Sequence, residues 1–532
     1  MYWLLPPFFL LSLAIGGIVV PKLNLILSLI CDEYFIERSH TDPTFYFTPI
    51  SPTADNPQCR IPEIQALVSK FSTYLMIITG SLSAIMCARM GAWSDRYGRT
   101  TLLVMASFGG LLGEVITILA GTFPKVVSYK WLLAGAAFDG LCGSFTAGMA
   151  LTHAYATDCT PPPNRGIAFG YFHACLFGGI AFGPLLTAFL LKKTGTLLTI
   201  FYVALGIHIS FILFITFVVP ESLTKKRQLV AREKHASEIG DVIWNDQINW
   251  VVVVRKLNIL APLKILFPTG PGTSNALRAN LILLSAVDTT IFGVAMGAMT
   301  VVVYYIGYQF GWDTAQISIY ASITSSFRVS ALIIVLPLLN YLVRTRRANR
   351  QRRESGFAIP QPNSGSDTLE LSIIRVAMIF EIVGYAGFAL ARKPALFVLS
   401  GILAASGGVA SPTLQSALTK HVPHDKVGSL LGATGLLHAL TRVIAPTIFN
   451  LIYAGTVKTY PQAVFVIISG CFGVAFLLSW FIRPHSKSSS VIPYDIYLCH
   501  AVYLEDPMTV KARTRSEAEE AERLLDEEIT AV

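Results

Sequence analysis

Charged residues are scarce in this chain of 532 residues. Asp, Glu, Lys and Arg make up 14% of it, against about 25% in soluble domains, whereas hydrophobic residues make up 53%. Such a composition lacks the polar surface that water requires. Apolar runs of bilayer-crossing length recur instead, and the alternating strands of a membrane barrel are absent. Because a backbone in lipid must satisfy its own hydrogen bonds, the sequence predicts an all-α integral membrane protein.

Several chemical signatures are missing as well. The sequence contains no G-x-x-x-x-G-K-S/T phosphate loop, no H-E-x-x-H and no G-x-S-x-G, so neither ATP-driven work nor an enzyme is expected. Its ten histidines are dispersed and its eight cysteines form no C-x-x-C pair, which predicts neither a metal site nor a cofactor. The net charge of +9 does not predict nucleic-acid binding, because the basic residues lie in short loops between apolar runs.

Twelve apolar runs are long enough to span a membrane. They lie at about 3–30, 63–88, 101–122, 131–154, 166–190, 197–219, 281–307, 316–342, 371–391, 394–417, 428–453 and 461–482. The predicted organisation is a six-helix bundle at 1–220, a cytoplasmic linker at 221–279, a second six-helix bundle at 280–483 and a cytoplasmic tail at 484–532.

The loops differ in charge. Basic residues concentrate in the even-numbered loops, whereas the first loop, between Cys31 and Cys59, is acidic. The positive-inside rule then places both termini in the cytoplasm and the first loop outside. On an oxidising face Cys31 and Cys59 can form a disulfide or remain two free thiols.

Three segments between or after the spans have distinct compositions. The apolar stretch 244–254 in the linker is too short to span and predicts a helix lying on the membrane surface. The Arg-rich segment 344–367 is typical of disorder. In the tail, 520–525 resembles an acidic dileucine sorting signal or forms a short charged helix, so both the plasma membrane and a vacuolar or endosomal membrane remain open.

Spans 5 and 11 share a pattern of small residues and proline at a constant offset of 262 positions. The matching residues are Gly166, Gly170 and Pro184 in the first half and Gly428, Gly432 and Pro446 in the second. Duplicated halves of six helices are how many carriers build a central cavity.

The strongest local motif is the segment 91–99, GAWSDRYGR, between spans 2 and 3. It resembles the G-x-x-x-D-R-x-G-R signature of the major facilitator superfamily, matched by Gly91, Asp95, Arg96, Gly98 and Arg99. The resemblance implies twelve helices in two pseudo-symmetric bundles, and a conformational latch in which Asp95 lies against the N-terminus of span 11, where a helix dipole favours an anion. An ordinary charged turn is the competing interpretation.

A second motif lies in span 5. Gly170, Gly179, Gly183 and Pro184 look like the motif enriched in proton-coupled antiporters of this superfamily, although Thr187 and Ala188 stand where two glycines are usual. Close packing of helices through small residues explains the same pattern equally well.

Ionisable residues inside the spans predict the mechanism, since each is costly in lipid unless it is paired or hydrated. The candidates for binding a proton or a solute are Lys22, Glu114, Asp139, Asp288, Arg328, Glu381, His438 and Arg442, and His173 lies somewhat off centre, as do Glu114, Asp139 and Asp288. The carboxylates Asp139, Asp288 and Glu381 are the expected proton carriers, with His438 assisting, and the cations can attract an anionic or zwitterionic solute. Static ion pairs, for instance Asp288 with Arg328, are the alternative.

The family resemblance extends over spans 1 to 12 and is nearest to fungal facilitators, close to the tetracycline-resistance-like and proton-coupled folate transporter groups. It implies secondary active transport of a small organic solute by alternating access, with a proton gradient as the energy source and a monomer in the bilayer. Import and export both remain open. A receptor or sensor that kept the carrier fold without transporting is the alternative from another class.

Overall fold

The computed structural model describes residues 1–41, 48, 50, 57–59, 61–245, 261–269, 273–312, 314–346 and 365–484. Twelve helices in those ranges are long and apolar enough to cross a membrane. Spans 1 to 6 are Tyr2–His40, Glu63–Tyr97, Arg99–Thr122, Trp131–Cys159, Pro162–Thr194 and Leu197–Phe217. Spans 7 to 12 are Asn275–Phe310, Gln316–Arg344, Thr368–Leu390, Pro394–Thr419, His424–Thr456 and Ala463–Trp480. The predicted all-α fold of twelve spans in two six-helix halves is confirmed.

The main error in the predicted boundaries concerns the segment 91–99. It was expected to be a loop, but the helix of span 2 continues to Tyr97 and span 3 begins at Arg99. Only Gly98 turns the chain, at a φ of 99° that favours glycine. Nothing before Gly98 breaks a helix, so the polar residues that follow the apolar run stay helical. We call the end of the bundle that carries this segment the latch end, and the opposite end, where Cys31 and Cys59 are joined by a disulfide, the disulfide end.

Spans 4 and 10 are interrupted at nearly corresponding positions of the two halves. Span 4 consists of Trp131–Leu141 and Ser144–Cys159, joined through Gly143 at a φ of 85°. Span 10 consists of Pro394–Ser406 and Ala410–Thr419, joined by a 3₁₀ turn. Interrupted helices in carriers place polar groups at mid-membrane depth, and both breaks adjoin charged side chains described below.

Glycines allow spans 1 and 5 to pack closely. A Cβ at Gly183 would lie 2.6 Å from the backbone nitrogen of Gly17, and one at Gly179 would overlap the backbone of Ser12. Thr187 adds a hydrogen bond from its hydroxyl to the carbonyl of Gly17 at 2.9 Å. This contact lies within the first half and accounts for two of the motif glycines by packing alone. Pro184 lies inside the same helix.

Gly170, by contrast, faces the second half. A Cβ there would lie 2.9 Å from Leu336 of span 8. The span-5 motif therefore serves two different contacts, one within a half and one between the halves.

The linker contains a helix that the sequence did not suggest, Lys225–Asn245. It packs on the latch end of span 2, where Arg232 donates from Nε to the carbonyl of Arg96 at 2.9 Å and lies over the ring of Tyr97. The predicted surface helix lies mostly outside the described residues, as do almost all of the Arg-rich segment 344–367 and the sorting signal at 520–525.

Cys31 and Cys59 are joined by a disulfide, with Cα atoms 5.6 Å apart and 28 positions between them in sequence. Both residues are fully buried in a small apolar cluster at the disulfide end, with Ile30 and Ile64 among its members. Of the two alternatives left open by the sequence, the structure has the bonded one.

Replacing Cys59 with serine is expected to lower the free energy of unfolding by about 3–4 kcal/mol, because the bond closes a loop of this length in the unfolded chain. The measurement is the thermal unfolding midpoint of the purified protein. Cys471→Ser, which removes a free thiol in span 12, serves as the control. Equal midpoints for both variants would contradict a stabilising role.

Candidate functional site

Asp95 binds the N-terminus of span 11, in the other half of the molecule. Its Oδ1 accepts the backbone N–H of Gly428 at 3.1 Å, and its Oδ2 accepts the N–H of Ser429 at 2.9 Å and that residue's hydroxyl at 3.0 Å. These donors are among those that a helix start leaves unpaired, and the dipole there favours an anion. The structure places Asp95 where the family resemblance implied.

Arg99 is fully buried between two carboxylates. Its Nη1 lies 2.7 Å from Oδ1 of Asp95, and its Nε lies 2.9 Å from Oδ2 of Asp158 at the end of span 4. The side chain of Glu221 accepts the backbone N–H groups of Arg99 at 2.8 Å and of Thr100 at 3.0 Å. This network holds the ends of spans 2, 3, 4 and 6 together.

The crossing of spans 2 and 11 beside Asp95 is a contact of backbone with backbone. A Cβ at Gly432 would lie 2.9 Å from the Cα of Gly91, and a Cβ at Gly91 would overlap the carbonyl oxygen of Gly428. No side chain fits between the helices, so the glycines set how closely Asp95 approaches its donors.

A second charged cluster occupies the latch end of the other half. Lys420 Nζ lies 2.8 Å from Glu370 and 3.4 Å from Asp367, and Arg344 Nη2 lies 2.5 Å from Asp367. Asp367, Glu370 and Lys420 were not predicted from sequence as members of a site. A signal was present, because Lys420 follows Asp158 by the repeat offset of 262 positions (420 − 158). In the first half, a cation, Arg99, begins span 3 and an acid, Asp158, lies at the end of span 4. In the second half the signs are inverted, because acids lie at the start of span 9 and a cation, Lys420, follows span 10.

Further hydrogen bonds join the halves at the latch end. Asn340 of span 8 donates to the side chain of Asn164 at 3.1 Å, and Arg344 donates to the carbonyl of Pro163. From the first half, Arg165 donates to the carbonyl of Thr419 at 3.4 Å. With the Asp95 contacts, these bonds hold the latch end closed.

Arg328 and Glu381 face each other near the middle of spans 8 and 9. Nη2 of Arg328 lies 3.8 Å from Oε1 of Glu381, and the guanidinium lies 4.6 Å from the ring centre of Phe177 on span 5. The break in span 10 makes room for both, since a Cβ at Gly407 or Gly408 would overlap Glu381 or Arg328 respectively. The Arg328 side chain is 21% exposed, whereas Glu381 is buried. This pair adjoins the contact between the halves.

Asp288 is paired with His438, and the alternative of an Asp288–Arg328 pair is wrong. His438 Nε2 lies 3.0 Å from Oδ2 of Asp288, and Ser411 donates to Oδ1 at 3.2 Å. The ring of Phe292 stacks on His438 at 4.2 Å. His438 lies near the middle of span 11 and Asp288 near the middle of span 7, and these two spans pack against each other. Arg328 instead meets Glu381 of span 9.

Asp139 lies just before the break in span 4. Its Oδ2 accepts the hydroxyl of Ser144 at 2.7 Å, and Arg442 of span 11 is the cation that acts on it from the other half. Arg442 makes no ion pair shorter than 4.0 Å within the described part of the chain. A guanidinium left without a close carboxylate can bind an anion that enters between the halves.

Two other candidates stand apart from this centre. Glu114 of span 3 pairs with His208 of span 6 at 2.9 Å, within the first half. His208 was missed, because a lone histidine in an apolar run carries no spacing signal. Lys22 of span 1 is half-buried and forms no ion pair in the regions that the structure describes.

The family description "Major Facilitator Superfamily" matches residues 62–359. The chain is 29% identical over 494 residues to MFS-type transporter avaJ of Aspergillus versicolor, covering 92% of this chain and 90% of that one. It is 23% identical to the proton-coupled folate transporter of Bos taurus, over 78% of this chain and 79% of that one.

Among solved structures, the human organic anion transporter MFSD10 superposes with a TM-score of 0.62 at 16% identity, covering 90% of this chain and 98% of that one. The chain belongs to the major facilitator superfamily, a family of membrane transporters. The expected family and the expectation that this is not an enzyme are both confirmed.

Proposed function

We propose that this chain is a secondary active transporter of a small organic anion, coupled to protons and working by alternating access. The observation that carries the proposal is the position of Arg328. Its guanidinium lies on a ring of the opposite half, 3.8 Å from Glu381, and is partly exposed. A cation at mid-membrane depth is costly unless it is paired or used, and here its carboxylate partner is beyond hydrogen-bonding distance.

Two features support an anionic solute. Arg328 and Arg442 both lie on helices that line the contact between the halves, and guanidinium groups bind carboxylates with two parallel hydrogen bonds. One structural neighbour is described as an organic anion transporter, and one relative is named a folate transporter.

Proton coupling is supported by the carboxylates beside these cations. A solute anion that binds Arg328 competes with Glu381, and a proton on Glu381 removes that competition. Asp288, which lies between spans 7 and 11, and Asp139 on span 4 offer further carboxylates. The relative named above is described as proton-coupled.

Alternating access is supported by the closed latch end, where the bonds from span 11 to Asp95 and from Arg165 to Thr419 join the halves and must break if the halves rock. We further propose that the transporter acts as a monomer with both termini in the cytoplasm, in the plasma membrane or in a vacuolar or endosomal membrane.

The test is uptake of radiolabelled mono- and dicarboxylates by liposomes containing the purified protein, with and without a pH gradient. We expect uptake that changes with the gradient and is lost on adding a protonophore. Arg328→Met is expected to lower uptake by about 10- to 100-fold, the loss of a charge-assisted hydrogen-bonding partner. Arg375→Met, which removes an arginine stacked on Trp480 within the second half, should transport as the wild type does.

Each unfavourable outcome has a distinct meaning. Uptake that ignores the pH gradient removes proton coupling, and normal uptake by the Arg328 variant removes the binding assignment. Folded protein that binds an anion in a thermal-shift screen but never moves it would favour the receptor alternative.

A further inference from the structure

Two histidine rings stack at the contact between the halves, and neither has a role in the transport site described above. His153 of span 4 and His173 of span 5 have ring centres 5.2 Å apart and planes inclined by 12°. Phe169 covers the other face of His153 at 4.4 Å. The two residues are only 1% and 7% exposed. The pair lies between the latch and mid-membrane depth, since His153 is six residues before the end of span 4.

Within the part of the chain that the structure describes, each ring has one nitrogen that forms no hydrogen bond. Nδ1 of His173 donates to the carbonyl of Phe169 at 3.0 Å, so Nε2 of the neutral ring carries the lone pair. The side chain of Gln415, on span 10 of the other half, is the hydrogen-bonding neighbour of His153. Nε2 of His153 has no hydrogen-bond partner among the described residues. Buried polar atoms are rarely left in this state, and such exceptions often have a functional reason.

The charged groups around the pair come from the second half. His438 acts on both rings, and Asp288 and Arg328 act on His173. Asp288 is the only acid in this set, and it is already bound by His438 and Ser411. Any charge on the stacked pair is therefore poorly compensated while the halves are in contact.

We propose that His153 and His173 together bind one proton, and that this proton favours the conformation in which the halves separate at the latch end. With the latch end closed, an imidazolium here is cut off from water and faces a second ring. Separation from Gln415 and span 10 admits water, which stabilises the charged form. A proton that binds the open conformation more tightly shifts the population toward it. The second proton is opposed by the first, so the pair acts as one site.

This inference rests on the proposed function and names the residues through which protons would control it. It also differs from the carboxylate assignment, because it places a proton site inside the contact between the halves and away from Arg328. The histidine pair was not recognised from sequence, since its two members lie twenty positions apart on different spans.

The test measures distances between the halves without a solute. Spin labels are attached through a non-natural amino acid at the exposed residues Thr224 and Thr368 of the latch end. The sample is full-length protein in nanodiscs. The population with the longer latch-end distance is expected to rise about tenfold from about pH 8 to about pH 5. This is the change expected if the pKa of the site differs by about one unit between the open and closed conformations. A second label pair at Val126 and Lys458 reports the disulfide end.

Asparagine variants separate titration from structure. His153→Asn and His173→Asn keep a donor near the Nδ1 position and cannot titrate, so the double variant is expected to lose the pH response and keep the closed distance at all pH values. His40→Gln, an exposed histidine of the disulfide end, should respond as the wild type does. A response that persists in the folded double variant, or a wild type without any, overturns the inference.

The outcomes remain distinguishable from those of the transport assay. Proton-coupled uptake that survives in the double variant refutes the histidine site and leaves the proposed function standing. If the latch-end distance depends on pH but the protein moves no solute, the proposed function is refuted and the histidine site stands.

Discussion

Asp95→Asn is expected to open the latch end and to slow transport at least about tenfold. The amide cannot accept from all three donors of span 11, and it loses the charge that Arg99 and the helix N-terminus stabilise. Charge-assisted hydrogen bonds are worth about 1.5–3 kcal/mol each. Loss of about 2 kcal/mol from the closed state raises the ratio of open to closed molecules about thirtyfold.

The measurement is the distance between labels at Thr224 and Thr368, together with uptake by liposomes. Asp425→Asn is the matched control, because Asp425 lies at the same end, is half-exposed and meets Lys234 at 3.3 Å. Exposed pairs of this kind contribute at most about 1 kcal/mol. Normal uptake and a closed latch end in the Asp95 variant would count against the latch assignment.

Lys420→Met is expected to be strongly destabilising. The variant leaves Glu370, which is only 3% exposed, and the neighbouring Asp367 with Arg344 as the cation that still forms ion pairs with them among the described residues. Removing one partner of a buried ion pair costs about 3–5 kcal/mol. For a protein of this size we expect the unfolding midpoint to fall by about 5 °C or more.

A second substitution distinguishes the lost charge balance from lost packing. Lys420→Met combined with Glu370→Gln removes the uncompensated carboxylate and is expected to recover more than half of the loss. Lys130→Met, which breaks an exposed pair with Glu33, is the control and should be nearly silent. If the double variant is as unstable as the single one, the cluster stabilises through packing and not through charge.

The spans could be predicted because lipid imposes a length and an apolarity that are visible in sequence. Span ends could not be predicted in the same way, because polar residues such as those at 91–97 continue a helix when nothing breaks it. The position of Asp95 followed from the family resemblance and from the affinity of a carboxylate for a helix start. The spans and the position of Asp95 could be predicted because both depend on short stretches of sequence and not on which helices pack together.

Pairing between spans could not be predicted from sequence. Asp288 meets His438 and not Arg328 because of which helices pack together at mid-membrane depth. His153 carries no motif, and its meaning appears only once span 5 places a second ring beside it. Lys420 was detectable in principle through the repeat, but only the structure shows that the two halves use opposite signs at equivalent positions.

The glycine contact between spans 2 and 11 also determines how sharply the molecule can switch. Where backbone contacts backbone, one helix can rotate against the other without any change of side-chain rotamer. The contact itself therefore adds little to the energy barrier of the movement. The barrier then comes mainly from the few hydrogen bonds of the Asp95 carboxylate, which break after a small displacement of the helices. We therefore expect the latch end to open in a single cooperative step and not gradually.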